Sequence, residues 1–154
     1  PGTRPYVFFT KDFRFAAPIC WENIFPQIVR TFVQNGAQFI VNITNEAWFG
    51  KTAAPYQFLS MNVFRAVDNR LFVVRCANTG ISCFIDPCGR VLDRVKSKDG
   101  EDIFVRGVLT ASIVPLHSKT LYTQCGDWIV WFCLAGAIMF AILAFLRKVN
   151  RTIS

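Results

Sequence analysis

Residues 128–146 read WIVWFCLAGAIMFAILAFL, nineteen positions without a charged side chain. At 1.5 Å per residue this run would extend about 28 Å as a helix, close to the roughly 30 Å hydrocarbon core of a bilayer. Trp128 and Trp131 stand at one end, and Arg147, Lys148 and Arg151 crowd the other. The positive-inside tendency then predicts a cytoplasmic C-terminus, with residues 1–127 on the far side of the membrane. The competing reading, a buried core helix of a soluble domain, fits poorly, because core helices are seldom this long and this apolar between such flanks. The expected organisation is an extramembrane domain at 1–120, a linker at 121–127, a transmembrane helix at 128–147 and a cytoplasmic tail at 148–154.

Before that run, apolar stretches alternate with turn residues and helical patterns. Strands are expected at 6–9, 13–19, 38–44, 71–77, 81–86, 91–95 and 103–114, the last with Gly107 as a bulge. Helices are expected at 21–35, where Ile24, Ile28 and Phe32 recur every four residues, and at 53–70, with Tyr56, Leu59, Val63 and Val67 on one face. Residues 115–127 look like a link into the membrane. The alternation predicts an α/β domain with a mixed sheet.

The formal charge is +7, from 17 Lys+Arg against 10 Asp+Glu, but the basic residues are scattered rather than gathered into a stripe. Nucleic acid is therefore an unsuitable partner. Six cysteines stand at 20, 76, 83, 88, 125 and 133, and no two form a C-x-x-C pair, so no metal is expected. Cys83 and Cys88 could bridge in an oxidising compartment. No cofactor is called for. The chain opens at Pro1-Gly2 without an initiator methionine and reads as the C-terminal part of a longer protein.

One cysteine differs from the rest. Cys20 falls in Pro18-Ile19-Cys20-Trp21-Glu22-Asn23-Ile24-Phe25-Pro26, between an apolar run and an expected helix start, with a carboxylate two residues on. A thiol at the positive end of a helix dipole is favoured as thiolate, the form that attacks carbonyl carbon. The backbone N–H of Trp21, next after it, is a candidate oxyanion donor. A papain-like reading of Cys20-Trp21 fails, because His117 is the only histidine and the C-G-S/A-C context is missing.

Further motifs follow in series: Asn42-Ile43-Thr44-Asn45-Glu46-Ala47-Trp48-Phe49-Gly50, then Phe64-Arg65-Ala66-Val67-Asp68-Asn69-Arg70. Arg75-x-x-Asn78-x-Gly80-x-Ser82 comes next, and Leu121-Tyr122 with Gly126-Asp127-Trp128 closes it. With the Cys20 stretch these resemble the nitrilase (carbon–nitrogen hydrolase) superfamily, and within it the apolipoprotein N-acyltransferase branch. Trp21 stands where the family usually has Tyr, and Glu46 where it more often has Asp.

The resemblance implies a four-layer αββα sandwich on the periplasmic side of a bacterial inner membrane. It implies an acyl chain moved from a phospholipid to the N-terminal diacylglyceryl-cysteine of an apolipoprotein, by way of a thioester on Cys20. Glu22 matches a functionally important glutamate; it would orient the amine, or simply cap the first helical turn. Trp21, Trp48 and Phe49 would line the acyl or acceptor site, or pack inside the sandwich, the latter slightly favoured for Trp48 and Phe49. Asp68 and Arg70 read as a structural ion pair or as helix-surface charges rather than catalytic groups. The superfamily's general-base glutamate and its lysine normally precede the cysteine by tens of residues, and neither has a matching position here, so the chain alone should be inactive. Two alternatives stand beside this reading: a nitrilase-type amidase, and a catalytically silent, membrane-tethered interaction domain.

Overall fold

The computed structural model describes residues 5–117 and 119–153, which fall into two compact units divided between Gln124 and Cys125. Pro1, Gly2, Arg4 and Ser154, and the side chains of Arg147 and Arg151, lie outside the described set.

The first unit is built on a six-stranded mixed sheet with the strands in chain order: β1 (Val7–Phe9), β2 (Arg14–Ala16), β3 (Phe39–Thr44), β4 (Phe72–Ala77), β5 (Cys83–Ile85) and β6 (Val91–Arg94). β2, β3 and β4 run parallel, while β1, β5 and β6 join as antiparallel neighbours. The parallel core needs two crossovers, supplied by α1 (Pro26–Gln34) and α2 (Ala54–Asn69). Both crossovers step one strand in the same direction, and crossovers of one hand then place both helices on the same face.

That geometry sets the burial pattern. Val7, Ala16, Ile40, Val73, Cys83 and Ile85 point to the helices and are buried with Val29, Phe32, Val33, Leu59 and Ala66. Alternate residues point the other way. On that face Phe8 and Ile43 are exposed, and Phe15, Val41, Phe72, Val74 and Phe84 are only half-buried. Phe8, Phe15 and Phe39 form a stacked ladder across three strands, with centroids 5.2 and 5.5 Å apart. One face of the sheet is thus a core, and the other is an open apolar surface.

Three expectations are corrected. The helix expected at 21–35 is two elements, a 3-10 turn at Cys20–Ile24 and then α1. Phe25 between them is extended, with φ −86° and ψ 107°. Pro26 is the cause, since its ring drives the preceding residue out of the helical region while suiting the first helical position. The strand expected at 103–114 is absent: Phe104 has φ 57° and Val108 is 94% exposed. The segment is tied down at its ends instead, Phe104 N–H donating to the Thr79 carbonyl and Leu116 N–H to that of Gln38. Within the stretch read as a link, Leu121–Cys125 forms a short helix, α3. Arg30 holds it, with Nε donating to the Tyr122 and Thr123 carbonyls and Nη2 to that of Gln124.

The second unit is the helix α4 (Trp128–Ile153). Among the described residues it is the one helix long and apolar enough to cross a membrane, with mean hydropathy 2.4 over Trp128–Phe145 and no part of that window buried.

Candidate active site

The carboxyl ends of the three parallel strands come together at one edge of the sheet, the usual place for a site in an α/β fold. Cys20 follows β2, Asn45 and Glu46 follow β3, and Asn78 follows β4. The chain beyond β2 is held by Ile19, which bridges to Ile43, and by the Pro18 carbonyl, which accepts the Asn42 side-chain amide at 3.0 Å.

Cys20 then takes φ 51°, the left-handed region that a side chain normally avoids. Such a residue costs on the order of 1–3 kcal/mol and persists only where its surroundings fix it. Here Glu22 N–H donates to the Ile19 carbonyl at 3.1 Å, and Ile19 N–H donates to Glu22 Oε2 at 2.8 Å. On the far side Asn23, buried, donates to Asn62 Oδ1 of α2 at 2.6 Å. The bend turns a half-exposed sulfur out over the strand ends. The dipole expected behind it is not that of an α-helix, because α1 starts six residues later and only a short 3-10 turn intervenes.

Two neighbours touch the sulfur. Thr44 Oγ1 donates to Cys20 Sγ at 3.4 Å, and the Asn45 carbonyl lies 3.8 Å away. Behind Thr44 is a charged pair with no solvent exposure, Glu46 and Arg75, bonded through Glu46 Oε1 and Arg75 Nη2. The remaining Arg75 donors are also used: Nε bonds the Ile81 carbonyl at 3.0 Å and Nη1 bonds Asn42 Oδ1 at 3.1 Å. A hydrogen-bonded run therefore passes from the Pro18 carbonyl through Asn42 and Arg75 to Glu46, and the Thr44 hydroxyl stands between Glu46 Oε1, 3.5 Å away, and the sulfur. Glu46 Oε2 has no hydrogen-bond partner among the described residues and packs against Gly80. The motif positions Asn42, Glu46, Arg75 and Gly80 thus meet in one cluster, which the spacing of their motifs alone did not reveal.

The aromatic residues separate. Trp21, 48% exposed, lies edge-on to Phe58 (centroids 5.4 Å) and 6.4 Å from Phe49, which itself is 5.3 Å from Phe58. These rings form a wall beside the bend. Trp48 is 78% exposed, against the packed reading, and only its Nε1 is anchored, to the Asn45 carbonyl at 3.0 Å. Asp68 pairs with Arg65 at 3.3 Å, whereas Arg70 Nη1 reaches Cys88 Sγ at 3.8 Å. Cys83 is buried in the core, and desolvation pushes its thiol up to about 11, so it is no competitor as a nucleophile. Cys88 is a free thiol, as is Cys83. No metal-binding group occurs among the described residues.

The carbon–nitrogen hydrolase family matches residues 1–116. An apolipoprotein N-acyltransferase of Geobacter metallireducens is 41% identical over 148 residues, which cover 96% of this chain and 27% of that protein. The apolipoprotein N-acyltransferase of Chlorobaculum tepidum is 41% identical over 136 residues, covering 88% and 24%. The chain therefore spans about a quarter of the length of these curated relatives. Among solved structures, Saccharomyces cerevisiae Nit3, from branch 10 of the nitrilase superfamily, superposes with TM-score 0.54 at 24% identity, over 67% of this chain and 40% of that one. An amidase from Nesterenkonia sp. superposes with TM-score 0.52 at 25% identity, over 62% and 38%.

Proposed function

Because this chain belongs to the carbon–nitrogen hydrolase family, we propose that it is the Cys20-bearing part of a membrane-bound N-acyltransferase of lipoprotein maturation. One observation favours this over an amidase. Similarity to the Geobacter acyltransferase covers 96% of the chain and so takes in the apolar helix α4, whereas the Nesterenkonia amidase covers 62%. An enzyme acting on phospholipid has a physical use for a helix that holds its site at a bilayer; an enzyme of small amides has none.

In this reading the Cys20 thiolate attacks the ester carbonyl of a phospholipid. The Trp21 N–H stabilises the developing oxyanion, and the lysophospholipid alkoxide leaves with a proton from a general acid. The thioester on Cys20 is then attacked by the amine of a diacylglyceryl-cysteine, forming the amide and releasing the thiol. Glu22, whose Oε2 is held by the Ile19 N–H at 2.8 Å, would have its other carboxylate oxygen left to meet that amine. Trp21 and Phe49 would line the acyl path, and Trp48 would meet the lipid or the acceptor. The general-base glutamate and the lysine would come from the part of the protein that precedes this chain. That part would also supply a second sheet to cover the open apolar face, completing a four-layer sandwich. The domain would be periplasmic on a bacterial inner membrane, with the C-terminus in the cytoplasm.

The decisive experiment is mass spectrometry of the full-length protein after incubation with phospholipid. An acyl mass on the peptide bearing Cys20, removed by hydroxylamine and missing in Cys20→Ala, is expected. Hydrolysis of small amides without acyl-enzyme would favour the amidase. No modification and no turnover would favour a silent domain.

A further inference from the structure

The left-handed bend presents the Cys20 sulfur, yet the α-helix expected to favour its charged form begins only at Pro26. A sulfur that is to attack as thiolate at this edge gains from a hydrogen-bond donor, and the strand beside it carries one. We propose that the Thr44 hydroxyl is that donor, the buried Glu46–Arg75 pair being satisfied without it and leaving its proton to the sulfur.

Thr44 has one hydroxyl proton and two acceptors in reach, Cys20 Sγ at 3.4 Å and Glu46 Oε1 at 3.5 Å. The first is an ordinary separation for a hydroxyl on the larger sulfur atom; the second is at the limit for oxygen. Glu46 Oε1 already accepts a charge-assisted bond from Arg75, so its need for the Thr44 proton is small. Glu46 cannot swing toward Thr44 either. Its side chain has no exposure, its backbone N–H bonds Asn78 Oδ1 at 3.0 Å, and Gly80 bounds its other oxygen. The proton is thereby left to sulfur. Thr44 itself is buried at the end of β3, and its branched side chain has few rotamers to lose. The second group near the sulfur, the Asn45 carbonyl at 3.8 Å, is an acceptor and would suit the thiol rather than the thiolate. When the thioester forms, the sulfur loses its charge and the Thr44 bond weakens, while the proton stays on Thr44 throughout.

This inference rests on Cys20 being the proposed nucleophile, but it is tested without acyl transfer. The full-length protein is treated with iodoacetamide across a pH series, and carbamidomethylation of the Cys20 peptide is followed by mass spectrometry. Thr44→Val keeps the shape and removes the donor; Thr44→Ser keeps the donor. A lost hydrogen bond to a charged group should move the rising limb of the Val profile up by about one pH unit, or roughly tenfold in rate at neutral pH. The Ser profile should track the parent. If Thr44→Val does not fold, Thr44→Ala carries the same expectation. A profile unchanged in the variant lacking the hydroxyl, or displaced equally in Thr44→Ser, would overturn the assignment. Alkylation that behaves as expected in a protein that forms no acyl-enzyme would leave Thr44 in its role and remove only the acyltransferase reading.

Discussion

Adding a single methyl group at Gly80 asks whether the Glu46–Arg75 pair is as tightly placed as its burial indicates. A Cβ at this position would fall inside the contact radius of Glu46 Oε2, 2.8 Å from Glu46 Cδ and 3.2 Å from the Ala77 Cβ. Gly80 does not have a left-handed φ, so the alanine backbone itself is unstrained and the whole cost is the collision. A flexible surface carboxylate would step aside. Glu46 has no exposed surface, and retreat would pull it from Arg75 while leaving both charges in the interior. Breaking a buried pair costs about 3–5 kcal/mol, a large share of the roughly 5–15 kcal/mol that holds a typical domain. Gly80→Ala should therefore lower the unfolding midpoint strongly, as read by circular dichroism or tryptophan fluorescence of the full-length protein in detergent. Glu46→Asp, shorter by one methylene, should relieve part of the loss when combined with Gly80→Ala. A coupling of about 1–2 kcal/mol between the two substitutions is expected for groups in direct contact. If Gly80→Ala costs under about 1 kcal/mol, or if the two effects simply add, the tight-cluster argument is wrong.

Two further outcomes are expected. A reporter fused after Ser154 should be active only as a cytoplasmic fusion, and periplasmic activity would reverse the proposed orientation. Asp102 is bonded by Arg94 Nη1 and the Tyr56 hydroxyl, each at 2.8 Å. Burial opposes its ionisation, but the bonds from Arg94 and Tyr56 outweigh that and hold its carboxyl below the ordinary range. The stability it contributes is present above the unfolded carboxyl range, near pH 4, and is lost as pH falls through the lower folded value. Acid titration of Asp102→Asn should show a shallower fall than the parent, and superimposable curves would refute the linkage.

The sequence made some parts of this fold plain and hid others for physical reasons. The FIVNIT run of β3 has one dominant pattern and was legible, as was the extent of α2, but not its buried face: Tyr56 and Val67 are exposed, and the stripe against the core runs through Phe58, Leu59, Asn62, Ala66 and Asn69. Cys20 stood apart in the sequence because its neighbours are unusual together, and the structure gives it a left-handed φ of 51°. Residues 103–114 misled because alternation marks an extended chain, not the presence of a partner strand to pair with. The split at Pro26 was signalled by the proline itself, which favours the first turn of a helix over its middle. What sequence order did not display was the convergence of Thr44, Glu46, Arg75 and Gly80. The parallel register, with Asn42 opposite Arg75 and Thr44 opposite Ala77, aligns these strand ends, and register appears only once the strands pair. The charge on Arg75 looked like one of many scattered cations, although its side chain is fully enclosed beside Glu46.

The one-sidedness of the two crossovers has a consequence for anyone handling this segment. A face on which Phe8 and Ile43 stand exposed and Phe15, Val41 and Val74 are only half-covered behaves as an adhesive. Produced by itself, the segment should clump long before it melts, and its solubility would report on this uncovered face rather than on the strength of its own core.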